Sequence, residues 1–382
     1  MKTVNKNSII YHLGQIKDPR VEGRKLHNLN DIFVITICAV LTGAVHWTDI
    51  VLFAEIRKDW LKTFLELPNG IPSHDTFARV FASIDSKEFS KKFSEWTHCI
   101  KESFPDEIIA IDGKTLRRSF DKASNKSAIH MINAWSSKNK MILGQLKTEE
   151  KSNEITAVPN LLEWLDLKGC IVTLDAMGCQ KKIVKKIADK GGDYVIALKG
   201  NQGEFHRNVV EFFNSPVIND FSLNTFRSIG KEHGRIEKRT ITCCEELEWL
   251  EGKEKWKNLK SIVCVNSTRK IKEKTSNENR YFITSLSSKE TEKIANAVRK
   301  HWEVENKLHW VLDMTFREDE SRIRKDNAPA NMAIVRQIAM NLLKNEKSYK
   351  NISVRAKKLV AGWSGEYLIK LISNKENLNF KN

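Results

Sequence analysis

Two acidic side chains stand where strands end. In IIAIDGKTLRRS, residues 108–119, an apolar run stops at Asp112 and Gly113 and is followed by Lys114, Arg117 and Arg118. In CIVTLDAMG, which begins at Cys170, a second apolar run stops at Asp175 and the turn residues Ala176, Met177 and Gly178. Short apolar runs bounded by turn residues predict buried strands. If the two strands are parallel neighbours, both carboxylates emerge at one edge of the sheet, where open α/β sheets bind ligands. Carboxylates that close repel, so they call for a cation. Mg²⁺ suits them, because it is held by one or two carboxylates while keeping waters and taking up phosphate oxygens. Singly, each aspartate also reads as an ordinary turn residue; the pair, with cations around it, favours a site.

A third carboxylate would complete a two-ion centre, and AVRKHWEVENKLHWVLDMTF offers Glu303 and Glu305. Arg299, Glu303 and Lys307 recur every four residues, an alternating-charge line that suits a solvated helix face. Glu305 has Trp302 and Leu308 three residues to either side and His301 and His309 four away. That spacing sets it on the stripe expected to pack toward the sheet. A carboxylate there is costly unless a cation meets it, which selects Glu305 over Glu303. His301, Glu305 and His309 also share a face that zinc could use. The order is not HExxH, however, and zinc leaves Asp112 and Asp175 unexplained. Polar residues rimming a core helix are the plainer alternative.

The scaffold that must gather these residues reads as α/β. Strands are expected at 108–112, 130–135, 141–147, 170–175 and 194–198, the second and third forming a hairpin across SSKNK. Helices are expected at about 154–165 and 180–190, which gives a mixed sheet flanked by helices. A β-rich stretch spans roughly 222–286, a long helix about 291–313, and helical text resumes beyond 327, ending in a polar segment, KENLNFKN, expected to fray. Residues 1–104 read as helical throughout, with helices near 31–45 and 49–64, a break at LPNGIPSHDTF, and caps at Ser73 and at Asp85 or Ser86. The break admits a helix-turn-helix presenting His74, Arg79 and Lys87 to DNA; a plain helical bundle fits equally. The boundaries drawn are 1–104 for a helical N-terminal domain, 105–345 for the α/β domain with an insertion at about 205–286, and 346–382 for a helical tail.

Lys and Arg number 64 against 48 Asp and Glu in 382 residues, a net charge of +16 that favours a polyanionic partner, nucleic acid first. The seven cysteines are scattered without a CxxC pair, which suits reduced thiols in a cytoplasm better than a disulfide framework or a zinc ribbon. The longest apolar run, residues 32–45, is 14 long, short of the roughly 20 that a membrane helix needs, and reads as a buried core helix.

Taken in order, IAIDGKTLRRS, IVTLDAMGCQ, DYVIALKGNQ, HGRIEKR and HWEVENKLHWVLDMTFREDESRIR resemble the DDE transposases of bacterial insertion sequences, specifically the H-repeat-associated family of Rhs elements. The resemblance implies a ribonuclease-H-like catalytic domain in which Asp112, Asp175 and Glu305 are the catalytic triad and hold two Mg²⁺ ions, with Mn²⁺ able to substitute. It implies double-stranded DNA as partner, no membrane, and a homodimer when two DNA ends are paired. Lys114, Arg117, Arg118, Lys181, Lys182, Lys199, Arg235, Arg239, His301 and Arg317 are the expected DNA contacts. Related transposases carry a Tyr, Arg, Glu, Lys signature around the glutamate, whereas this chain has Val298, His301 and Leu312 at the Tyr, Arg and Lys positions; Arg299 or Arg317 is the expected substitute. The expected activity is cleavage and strand transfer at the element's terminal inverted repeats. The alternatives are an inactive element-derived DNA-binding protein or repressor, and a host nuclease that cuts without joining.

Overall fold

The computed structural model describes residues 6–23, 25–120, 126–149, 154–232 and 235–373. His233 and Gly234 of the HGRIEKR motif and the whole of KENLNFKN lie outside the described residues. Among the described residues nine strands form one sheet: β1 (Glu107–Thr115), β2 (His130–Ser136), β3 (Met141–Lys147), β4 (Cys170–Leu174), β5 (Asp193–Leu198), β6 (Leu223–Glu232), β7 (Arg235–Cys244), β8 (Ser261–Ile271) and β9 (Lys274–Thr284). Their order is β3-β2-β1-β4-β5-β9-β8-β7-β6. Only β1–β4 and β4–β5 are parallel; every other neighbour is antiparallel. The apolar run of β1 is continuous because both faces of this central strand are covered. Ile109 and Ile111 pack into one core, and Ile108 into another on the opposite face.

Fourteen α-helices surround the sheet among the described residues. They are α1 (Ile9–Leu13), α2 (Leu29–Thr42), α3 (Trp47–Ile56), α4 (Lys58–Leu61), α5 (His74–Ser83), α6 (Ser86–Ile100), α7 (Glu154–Trp164), α8 (Lys181–Asp189), α9 (Gly203–Asn214), α10 (Thr291–His301), α11 (Trp310–Phe316), α12 (Ala328–Asn345), α13 (Val354–Trp363) and α14 (Gly365–Ser373). The apolar run near the N-terminus is indeed a core helix, α2, buried from Asp31 to Leu41. No single helix among the described residues is long and apolar enough to cross a membrane. Ser73 and Asp85 cap α5 and α6 as expected, accepting N–H bonds from Thr76 and Glu88 at 3.3 and 2.7 Å.

Two expected helices are interrupted. The one expected at 49–64 breaks at Arg57, whose guanidinium donates to the Gly362 carbonyl at 3.0 Å and so ties α3 to α13. The one expected at 291–313 is split into α10 and α11 by a π-helical turn, Val304–His309. Helices α2, α5 and α6 share a hydrophobic core with α12, α13, α14 and the sheet residues Ala110, Trp135 and Ile142. The helices near the two ends of the described residues therefore pack as one layer. In α5, Phe77, Val80 and Phe81 enter that core, leaving His74 and Arg79 exposed, with Lys87 exposed at the start of α6.

The long strands β6–β9 realise the β-rich stretch. Their inner halves continue the core, whereas residues 269–271 of β8 and 274–279 of β9 are solvent-exposed. At the opposite end of the sheet, β3 would present an unpaired edge. Asn341 of α12 covers it: its Oδ1 accepts the Ile142 N–H at 3.0 Å and its Nδ2 donates to the Ile142 carbonyl at 2.8 Å, both buried. Asn341→Leu leaves a buried donor and a buried acceptor unmet, and each costs about 1–3 kcal/mol. Chemical denaturation is expected to show a loss of about 2–6 kcal/mol; an unchanged midpoint would mean that the edge is held by other contacts.

Candidate active site

Parallel pairing of β1 with β4 sets Ala110 opposite Thr173 and Ile111 opposite Leu174. Asp112 and Asp175 lie two residues beyond Ala110 and Thr173, so both side chains leave adjacent strands on the same face. That face is covered by α10 and the π turn, and the Thr173 hydroxyl meets His301 Nδ1 there at 3.0 Å. Asp175 also closes its own turn: Oδ1 accepts N–H bonds from Met177 at 3.0 Å and Gly178 at 3.2 Å. The ordinary turn reading and the chemical one thus hold together for this residue. Burial pushes the Asp112 carboxyl up to about 6 against an opposing Gly113 N–H, and the negative charges of Glu154, Asp175 and Glu305 add to the rise. Burial likewise raises Asp175, with Glu154 adding and Lys199 opposing.

Glu305 reaches this edge by a different route from the expected one. The stripe that packs on the sheet is Val304 and Leu308, both buried, while Glu305 is exposed and Trp302 is 43% exposed. The expected stripe assumes one regular helix, and the π turn, with its i→i+5 bonding, interrupts that helix from Val304 onward. Glu303, rejected as part of a solvated line, is half-buried and clamped by Lys300 and Lys307 at 2.6 and 2.7 Å. His309 lies over Asp112, with Nδ1 3.7 Å from Oδ2. Burial first, then Lys114 and His130, lower the His309 imidazole to about 3, and burial lowers His301 to about 4, so both are neutral near pH 7.

The expected DNA contacts separate into buried and open groups. Lys114 is not open: its side chain is 9% exposed and its ammonium binds Asp313 and, at 2.9 Å, Glu318. Its carboxylate partners outweigh burial and keep its pKa above the usual lysine range. His301 is likewise turned inward, to Thr173. Arg117 is 80% exposed, 3.4 Å from Asp319 Oδ2, and Arg118 is exposed beside it. Lys181 and Lys182 are exposed at the start of α8, and Lys199 is exposed just past β5. Arg317 is exposed but paired with Glu320. Arg235 and Arg239 flank Glu237 on one strand face, at 3.8 and 2.9 Å, and Arg269 from β8 joins them at 3.3 Å.

Two residues at the site escaped the sequence reading: Glu154, the first residue of α7, and His130, the first of β2. His130 Nε2 is 2.6 Å from Glu154 Oε1. Both sit against Gly113, where a Cβ would come within 2.1 Å of that oxygen and 2.3 Å of that nitrogen. The glycine after Asp112 thus permits a close approach that any side chain would block. It was the available signal, although nothing in the sequence singles out Glu154 from its acidic neighbours.

Among the described residues, no three His, Cys, Asp or Glu side chains stand close enough together to hold a metal ion as they are. The donor set nevertheless fits a hard divalent cation. It consists of carboxylates, and a divalent charge relieves the cost that burial, with the neighbouring negative charges added, places on an ionised Asp112.

Removing Lys114 strands buried carboxylates, so Lys114→Met is expected to lower unfolding free energy by about 3–5 kcal/mol; a neutral effect in denaturant titration would contradict the internal role. Asp112 binds its proton more tightly folded, near pH 6, than unfolded, near 3.8. Its burden is therefore absent below about pH 4, grows as pH rises, and is complete above about pH 6. Asp112→Asn is expected to be about 1–3 kcal/mol more stable than the parent at pH 7 without divalent ions, and no more stable near pH 4. Equal stability of the two proteins at pH 7 would contradict it.

Comparison with known proteins agrees with the geometry. Residues 103–342 match the family described as Transposase DDE domain, and residues 10–97 match the DDE_Tnp_1-associated family. The chain is 44% identical over 358 residues to "Putative transposase YncI" of Escherichia coli O157:H7, covering 93% of this chain and 92% of that one. It is 42% identical over 370 residues to "H repeat-associated putative transposase YhhI" of Escherichia coli K12, covering 96% and 97%. A solved structure of piggyBac transposase in a synaptic complex with hairpin DNA aligns with 98% of this chain and 79% of that one, at 12% identity and a TM-score of 0.41, too distant to carry weight. By its matched domain and by relatives alike along nearly their whole length, this chain belongs to the H-repeat-associated DDE transposases.

Proposed function

We propose that the protein cleaves DNA at the terminal inverted repeats of its own insertion sequence and joins the freed ends to a target, in a reaction that depends on divalent metal. The observation that carries this reading is the placement of Asp112 and Asp175 on neighbouring parallel strands, both with raised pKa values, and with Glu305 near enough to add to the rise at Asp112. The strand order β3-β2-β1-β4-β5, antiparallel on one side of β1 and parallel on the other, supports a ribonuclease-H-like core interrupted by the β6–β9 insertion.

Asp112, Asp175 and Glu305 hold Mg²⁺ or Mn²⁺, two ions for the complete centre. When bound, the metal supplies Lewis acidity for activating water and for stabilising charge on the attacked phosphate. Neutral His309 covers Asp112 and limits its solvation, which keeps the carboxylate available to a cation and not to bulk water. Exposed Arg117, Arg118 and Lys199 stand around the edge, and Lys181 and Lys182 extend the track along α8. They fix the DNA backbone without reading its sequence. On the β6–β9 ribbon, Glu237 aligns Arg235, Arg239 and Arg269 for a second set of phosphate contacts. The helices before residue 104 serve in DNA-end binding, and two copies act together because two ends must be paired.

The test incubates the purified full chain with Mg²⁺ or Mn²⁺ and DNA carrying the element's terminal inverted repeats, and follows nicked and joined strands on denaturing gels. Metal-dependent nicking and joining are expected. Asp112→Asn, Asp175→Asn and Glu305→Gln should each abolish both while leaving DNA binding intact. Binding without nicking, unaltered by Asp112→Ala, would indicate a repressor, and nicking that never proceeds to joining would indicate a nuclease.

A further inference from the structure

The catalytic edge is approached by helices from both faces of the sheet. Glu305 arrives from the face covered by α10, which packs with Ile108 of β1. Glu154 arrives at the other face, where α7 packs with Ile109 and Ile111 of the same strand. Its carboxylate lies where the side chain missing from Gly113, the residue after Asp112, would be, and it is the leading like charge felt by Asp112 and Asp175 alike. It is also held in place. His130 Nε2 donates to Glu154 Oε1 at 2.6 Å, and His130 Nδ1 is 3.0 Å from the hydroxyl of Thr115, its register partner on β1. A hydroxyl, an imidazole and a carboxylate thus run in a chain anchored on the strand that carries Asp112. A structural acid at a helix start needs no such orientation; capping its own helix would suffice.

We propose that Glu154 is a fourth acidic side chain of the catalytic edge, a ligand for the divalent cation held by Asp112 and Asp175, and that His130 is its positioning residue. This rests on the cation-dependent reading of the site given above. The two faces of the sheet then each contribute one carboxylate, Glu305 and Glu154, to the pair on the strands. An imidazole donating to a ligating carboxylate fixes its orientation, and removing such a partner costs about 10–100-fold in metal affinity.

The test titrates Mn²⁺ into the DNA-free full chain by calorimetry, beside Glu154→Gln, His130→Asn, the double variant and Asp112→Asn, with unfolding midpoints recorded without metal. Glu154→Gln is expected to bind Mn²⁺ about tenfold more weakly while unfolding no earlier than the parent. His130→Asn is expected to weaken binding in the parent and to add nothing in the Glu154→Gln background; additive losses would overturn the positioning role. Parental affinity in Glu154→Gln together with lost affinity in Asp112→Asn would overturn this inference alone. Parental affinity in both would overturn it along with the cation reading. Should Glu154→Gln fail to fold, Glu154→Asp keeps the charge but withdraws it by one methylene; weakened Mn²⁺ binding supports the role and parental affinity overturns it.

Discussion

Two carboxylates partly buried side by side on neighbouring parallel strands are the constraint around which this molecule is arranged. Strand pairing fixes Asp112 beside Asp175, and apolar cores on both faces of β1 prevent the strands from drifting apart. Burial raises both carboxyls, and nearby negative charges add to the rise. A protein selected for stability alone would replace one of them with an amide. Sites that must bind a cation keep such unfavourable groups, and the remainder of the fold offsets them.

The positive charge is partitioned with the same logic. Lys114 follows Asp112 by two residues yet is buried with Asp313 and Glu318, where it fastens the end of β1 to the segment after the π turn. Exposed cations sit farther out, on the loop after β1, at the start of α8 and past β5. On the β6–β9 ribbon, burial opposes ionisation of Glu237, but Arg239, Arg269 and Arg235 outweigh it and hold its carboxyl below the usual range. A carboxylate that binds three guanidinium groups holds them together on one face of the ribbon.

Much of this was legible in the sequence, because it depends on local pattern. The strand that stops just before Asp175, the 130–147 hairpin, the β-rich stretch and the caps at Ser73 and Asp85 all follow from periodicity and turn chemistry, whereas the strand expected to stop at Asp112 continues to Thr115 because β2 pairs with it that far. The buried α2 was legible too, being too short to span a membrane and too apolar for a surface. What eluded the sequence is non-local or irregular. The π turn cannot be inferred from spacing that assumes a regular helix, so Glu305 was assigned to the wrong stripe even as it was picked out. The internal pairing of Lys114 depends on Asp313 and Glu318, about two hundred residues away. Glu154 and His130 meet only because β2 and α7 converge on Gly113.

The most direct measurement is anomalous diffraction at the manganese edge from crystals of the full chain soaked in Mn²⁺. The account predicts manganese peaks between Asp112 and Asp175, with the Glu305 carboxylate drawn into coordination. Manganese bound only elsewhere on the molecule, with both strand-end carboxylates bare at saturating concentration, would contradict it.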